Sequence, residues 1–194
     1  MRPTLVPIHR PRVGISVSAS ALSLVALRRP WFCRPIVKQV VERPLPSGLL
    51  KVSATEPHIT DLDAFVQELR ALTEGLSERT VALSVPNRAM HMGVFAFDRF
   101  PDDPEERAGL IKWRFREDLN LAIGDARVMM QVFAAGTRTQ VLAVAVRQTI
   151  LDQYEDVCGR AGLIPVSMGF SHLQLIGLYR RLMKGTRRLC VMHW

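Results

Sequence analysis

The sequence predicts an α/β fold with mixed sheets. Three features carry that expectation: an apolar alternation that changes phase, amphipathic stretches of helical period, and the succession of strand-like and helix-like segments. The phase change lies in "VGISVSASALSLV", residues 13–25. Val13, Ile15, Val17 and Ala19 hold odd positions, whereas Leu22, Leu24 and Ala26 hold even ones. Successive side chains on a strand face opposite ways, so a shift of one near Ser20 predicts two strands joined by a tight turn. The competing reading is a secretory signal. Val13 to Leu27 is uncharged and bracketed by Arg12 and Arg28, and Ala19-Ser20-Ala21 mimics a cleavage site. The run is too short to span a bilayer, and Ser16 and Ser18 dilute its apolar centre, so parity favours the hairpin.

The next elements follow in order. "PIVKQVVERPL" is a third strand, ended by a loop with Pro44, Pro46, Ser47 and Gly48. "HITDLDAFVQELRALTEGL" is a helix with Leu62, Phe65, Val66, Leu69 and Leu72 on one side, a capping box of Thr60 with Asp63, and Gly75 as its stop. "RTVALSVP" is a short buried strand closed by Pro86. In "AMHMGVFAFDRF" both parities are apolar, which predicts a strand covered on both faces. Asp102, Asp103 and Pro104 open a helix with Ala108, Ile111, Phe115 and Leu119 along one side and an Arg114–Asp118 pair on the other. "ARVMMQVFAAGTRTQVLAVAVR" reads as two strands around a turn at Gly136. "QTILDQYEDVCGRAGLIPVSMGF" is a helix stopped at Gly162 and then a strand, and "SHLQLIGLYRRLMK" is another amphipathic helix.

Composition restricts the chemistry. With 48% apolar and 23% charged residues in 194, the chain has material for one or two cores. Its formal charge of +8, from 26 Lys and Arg against 18 Asp and Glu, invites an anionic partner: nucleic acid, a phosphate group or an acidic membrane surface. The cations cluster only at the start (Arg2, His9, Arg10, Arg12) and the end (Arg180, Arg181, Lys184, Arg187, Arg188), without interleaved aromatics, so nucleic-acid binding is not expected. Cys33, Cys158 and Cys190 form no CxxC, which speaks against disulfide or zinc frameworks and for a cytosolic chain. Histidines 9, 58, 91, 172 and 193 lack the spacing of a shared metal site. There is no GxSxG, GxxxxGK[ST], GxGxxG or HExxH, and Glu105–Glu106 and Glu117–Asp118 fall on solvated helix faces.

The succession "RVGISVSASALSLVAL", "ERPLP", "ITDLDAFVQELRAL", "TVALSVPNRAM", followed by "EERAGLIKWRFREDLNLAIGDARVMMQVF" and "VLAVAVRQTILDQYEDVCGRAGLIPVSMGFSHLQLIGLY", resembles the first half of the type IV pilus assembly protein PilM family, which has an actin-like (ribonuclease H-like) fold related to FtsA. The likeness runs from about Arg12 to Tyr179. It implies a first actin-like subdomain from residues 1–87 and 148–194, and a small inserted strand-helix-strand-strand domain at 88–147. "RRLCVMHW" resembles the opening strand of a second half that does not follow, which leaves an edge favouring self-association.

The resemblance also gives the hairpin a meaning. Actin-like proteins commonly carry D-x-G-S/T there, the Asp ordering the metal and the Gly admitting a phosphate. Gly14, Ser16, Ser18 and Ser20 are the corresponding nucleotide-binding positions in degenerate form. Ser16 replaces the Asp and Ser18 the Gly, while Ser20 keeps the hydroxyl. A neutral hydroxyl cannot replace an anionic ligand for a hard cation, and a Cβ obstructs close backbone approach. The resemblance therefore implies a non-catalytic scaffold without cofactors, ATP and Mg being admissible only were a second half supplied. The implied partner is the cytoplasmic tail of a PilN-like inner-membrane protein, met by Phe95 and Phe97 beside Arg99, with other pilus or secretion components alongside. The implied location is cytoplasmic, peripheral to the inner membrane. The alternative is the first part of a split or frameshifted actin-like ATPase.

Overall fold

The computed structural model describes residues 11–28, 35–119, 124–135 and 137–174. Cys33, Cys190, His9, His193, the side chain of Leu119, the turn at Gly136, both basic clusters apart from Arg12, and the stretch from residue 175 through "RRLCVMHW" lie outside them. The chain divides into two compact units. The first comprises residues up to Leu50, Ile59–Asn87 and those from Glu155 on; the second comprises Lys51–His58 and Arg88–Tyr154.

In the first unit the predicted hairpin is present. β1 (Val13–Val17) and β2 (Ala21–Arg28) pair antiparallel, with Ile15 opposite Leu24 and Val17 opposite Leu22. Val13, Ile15, Val17, Leu22, Leu24 and Ala26 are all buried, so the change of phase puts both strands' apolar sets on one face. β3 (Ile36–Pro44) joins β2 antiparallel, with a register shift between Ala26 and Leu27. β4 (Thr80–Val85) runs parallel to β1. A later strand, Ile164–Phe170, runs parallel to β4 and closes a five-stranded mixed sheet. α1 (Leu62–Leu72) lies against β2 and β3 and buries Phe65, Val66, Leu69 and Leu72.

The cap of α1 is not the predicted Thr60–Asp63 box. Asp61 is the N-cap, its carboxylate accepting the Ala64 N–H at 3.0 Å. Thr60 instead donates its hydroxyl to the carbonyls of Gly48 and Leu49, at 2.9 and 3.1 Å, tying the helix start to the preceding turn. Asp63 pairs with Arg160. Gly75, at φ +74°, stands two residues beyond the C-cap Thr73 and turns the chain rather than capping it directly.

The second unit holds β5 (Met90–Phe97), α2 (Pro104–Leu119), β6 (Ala126–Ala135) and β7 (Arg138–Arg147). The strands form an antiparallel sheet in the order β5-β7-β6. Its core is Phe95, Ile111, Phe115, Ala126, Val141, Ala143 and Ala145, with Phe95 and Phe115 edge to face at 5.2 Å. The small alanines of β7 let the two large rings of β5 and α2 meet. Asp103 caps α2 by accepting the N–H groups of Glu105 and Glu106 at 2.9 Å each. Arg114 and Asp118 pair at 2.8 Å, as their spacing predicts. β5 departs from expectation: Met92 and Val94, on the face turned away from Phe95, are 54% and 67% exposed, while Val144 and Val146 of β7 on that face are buried.

α3 (Gln148–Arg160) ends as predicted. Gly162 adopts φ +77°, and the N–H groups of Gly162 and Leu163 close on the carbonyls of Gly159 and Cys158 at 2.9 and 2.8 Å. The Ile164–Phe170 strand then follows as β8. Burial pushes the Cys158 thiol up to about 12, so it packs as an inert apolar group.

His58 pins the short 51–58 segment within the second unit. Its Nε2–H donates to the Ser53 carbonyl at 2.5 Å, the Tyr154 hydroxyl donates to Nδ1 at 2.9 Å, and its own N–H donates to Gln153 Oε1 at 2.8 Å. Burial lowers its pKa below the ordinary 6.5, against the opposing pull of the Ser53 carbonyl. Above that value His58 is neutral whether folded or unfolded. Below it the unfolded chain takes up a proton that the folded chain resists, so stability falls as pH falls, by up to about 1.4 kcal/mol per pH unit. His91, lowered by burial and by Arg147, adds an effect of the same sign. Thermal melts between pH 7.5 and 5 are expected to show a shallower pH dependence for His58→Gln than for the native chain; equal slopes would refute the assignment.

Candidate functional site

Two places carry the residues singled out by sequence: the β1–β2 hairpin of the first unit and the β-sheet of the second. The structure separates the four hairpin positions. Gly14 and Ser16 lie within β1, whereas Ser18 and Ser20 lie in the exposed turn. Ser18 is occupied with closing that turn. Its hydroxyl accepts the Ala21 N–H and donates to the Ala21 carbonyl, both at 3.0 Å, beside a backbone bond from Ser18 N–H to the same carbonyl at 2.9 Å. The Ser20 carbonyl accepts from Leu45 N–H at 2.8 Å.

Gly14 and Ser16 open instead onto a recess of about 220 Å³, shared with Ser23, Val25, Ala82, Ser84 and Gln174. Ser23, Ser16 and Ser84 form one cross-strand row over β2, β1 and β4. The Ser84 hydroxyl is buried and has no hydrogen-bond partner among the described residues. No carboxylate is among these lining groups. The divalent cation of a nucleotide phosphate asks for an anionic oxygen ligand, and the described residues lining this recess supply none. The residues therefore do not fit that pair.

In the second unit, Phe95 is 4% exposed and belongs to the core under α2. That removes it from the predicted docking residues, because a ring packed edge to face on Phe115 is not available to a partner. Phe97 is half-buried and packs on Phe100 at 5.0 Å, and Arg114 covers both Phe95 and Phe97 at 5.6 and 5.7 Å. Arg99 is exposed. The three residues thus do not form one accessible patch.

Sequence reasoning missed the opposite face. Register places Met92 of β5 and Met129 of β6 on either side of Val144, and Val94 beside Leu142. Met92, Val94, Met129 and Phe133 are exposed large apolar side chains. Their signal was the even-numbered alternation of Met90, Met92, Val94 and Ala96. A sheet normally presents polar groups to water, so a strip of this kind is suited to a protein partner, and methionine adapts readily to varied shapes. Among the described residues, no helix is long and apolar enough to cross a membrane.

The mixed α/β architecture and its five-stranded mixed sheet agree with the fold expected from the sequence. Comparison with solved structures is decisive. A chain of a PilM–PilN type IV pilus biogenesis complex superposes with a TM-score of 0.74 over 92% of this chain and 53% of that one, at 23% identity. The chain has a PilM-like fold. A second match is the cytoplasmic domain of EpsL, an inner-membrane component of the type II secretion system of Vibrio cholerae. Its TM-score is 0.53 over 81% of this chain and 56% of that one, at 9% identity. This PilM-like chain spans about half the length of the solved structures it matches. No family model and no curated protein matches the sequence.

Two substitutions separate the structural serine from the stranded one. Ser18→Ala removes both turn-closing bonds and is expected to cost about 1 kcal/mol. Ser84→Ala removes a buried hydroxyl without a partner and is expected to be neutral or stabilising by up to about 1 kcal/mol. Denaturant titration measures both; the opposite order would refute the assignment.

Proposed function

We propose that this PilM-like chain is a non-catalytic assembly module of a type IV pilus or type II secretion-type machine. It works on the cytoplasmic side of the inner membrane and docks the cytoplasmic tail of a PilN-like membrane protein. The observation that carries the docking is the open apolar strip of Met92, Val94, Met129 and Phe133 on the β5-β7-β6 sheet. Such a strip takes an extended or folding peptide through side-chain pockets, with specificity from its polar rim. Arg127, at the exposed end of the β6 row that continues to Met129, supplies a cation to that rim. The fold shared with the PilM of a PilM–PilN complex supports the class of machine and of partner.

The absence of catalysis is supported by the hairpin chemistry. Ser16 and Ser18 cannot provide the anionic ligand and the unobstructed backbone of a working phosphate loop, and Ser18 spends its hydroxyl on the turn. Calorimetry with MgATP is expected to show no micromolar binding.

Docking is tested by fluorescence anisotropy with labelled peptides of the cytoplasmic tails of PilN-like inner-membrane proteins. Val94→Asp and Met129→Asp are expected to weaken binding at least tenfold, about 1.4 kcal/mol, without lowering the melting temperature. Phe95→Ala is expected to destabilise by about 3–5 kcal/mol as a core truncation. Failure of the native chain to bind any such tail, or full affinity in the two Asp variants, overturns the docking.

A further inference from the structure

The end of the five-stranded sheet remote from the β1–β2 turn gathers cations. Arg12 precedes β1, Arg28 ends β2, and Lys38 stands in β3, so adjacent strands deliver all three to one place. The Arg12 carbonyl accepts the Leu27 N–H at 2.7 Å, and Arg28 lies opposite Ile36, which fixes the strand ends together. The three side chains line a recess of about 210 Å³ together with the 75–78 turn after α1. Lys38 falls in the register shift of β3, where Val37 and Gln39 pair with successive residues of β2 and Lys38 is left over. A bulge of this kind re-aims a side chain and blunts further strand pairing.

Arg43, Arg114, Arg138 and Arg160 each pair with a carboxylate. Among the described residues, Arg12, Arg28 and Lys38 pair with none. Among the described residues, Arg79, Arg88, Arg99 and Arg127 also show no carboxylate partner, but none of them lines this recess, and the remaining contrast is with the paired arginines. Glu78 is the acid of the recess and accepts the Thr80 hydroxyl, so the local balance stays positive. Beside them, Ile36 and Val37 are 52% and 57% exposed. Cations bordered by exposed aliphatic groups suit a surface that offers phosphates above and hydrocarbon below.

We infer that this sheet end binds the anionic surface of a lipid bilayer through Arg12, Arg28 and Lys38. The contact is direct and independent of tail docking, which uses the other unit. It would orient the first unit on the membrane before, or without, a protein partner.

The test is co-sedimentation of the full chain with vesicles rich in phosphatidylglycerol, compared with phosphatidylcholine vesicles, without any tail peptide. The native chain is expected to partition onto the anionic vesicles and to leave them as salt is raised. Each cation contributes about fivefold in partition, so Arg28→Glu with Lys38→Glu is expected to reduce binding at least tenfold. Arg88→Glu with Arg116→Glu, the same change in net charge on the second unit, is expected to retain it. Equal losses in the two double variants overturn the inference, since net charge alone would then explain the binding. Two further results overturn it: displacement by millimolar inorganic phosphate at constant ionic strength, which assigns a free-phosphate site, or tighter binding to duplex DNA than to vesicles. Melting temperatures of both variants verify that the fold is kept. If the vesicle assay fails while the tail peptide still binds, this inference alone falls.

Discussion

The position of β1 governs the first unit. It is paired antiparallel with β2 on one side and parallel with β4 on the other. An antiparallel neighbour follows after a tight turn, whereas a parallel neighbour needs a crossover, and α1 provides it. The crossover must lie on the face where the strands have put their apolar groups. Phase therefore matters more here than hydrophobicity. Were Leu22 and Leu24 one residue out of step, β2 would turn its leucines away from α1, and no single face would serve both the hairpin and the crossover.

The same parity explains the other face. Gly14, Ser16, Ser23, Ala82 and Ser84 are what remains when the alternate positions are taken by the core. Small side chains there leave a shallow recess rather than a charged pocket. The hairpin turn, where a phosphate-binding loop would need an acid and a free backbone, has been closed by a serine that bonds within the turn itself. The Ser18 hydroxyl both accepts and donates within the turn, so its one proton is committed to the Ala21 carbonyl.

How much of this was legible depended on range. The hairpin, the apolar stripe of α1, the Arg114–Asp118 pair and the Gly162 stop are encoded by residues a few positions apart, and local periodicity is enough to find them. The cap of α1 was displaced by one residue because Thr60 is claimed by the distant carbonyls of Gly48 and Leu49, which no local pattern reveals. β5 was harder. Both of its faces are apolar in sequence, so alternation cannot say which one α2 covers. That choice is made by Phe115, a residue on another element whose ring meets Phe95 edge to face. Phe95, which the resemblance offered as a docking residue, is found in the core, and Met92 and Val94, expected to be covered, are exposed. The attachment of residues 51–58 to the second unit rests on His58 reaching Tyr154, nearly a hundred positions away, and was equally hidden.

Charge shows the same dependence on topology. In sequence the arginines look scattered, and a net charge of +8 says nothing of where the excess lies. Folding sorts them. Most of the described guanidiniums that the sheets and helices bring near an acid are neutralised in exposed pairs, which contribute little to stability individually but remove those sites as sources of long-range field. Among the described residues, the cations at the strand ends form no such pair; Glu78, the one acid lining their recess, accepts the Thr80 hydroxyl. An unpaired cation at the surface costs nothing to keep, since water solvates it. It retains its field, and steering by that field extends about one Debye length at physiological salt, far enough to act before contact. The strand order of the sheet, more than the composition of the chain, decides where an anionic surface is first felt.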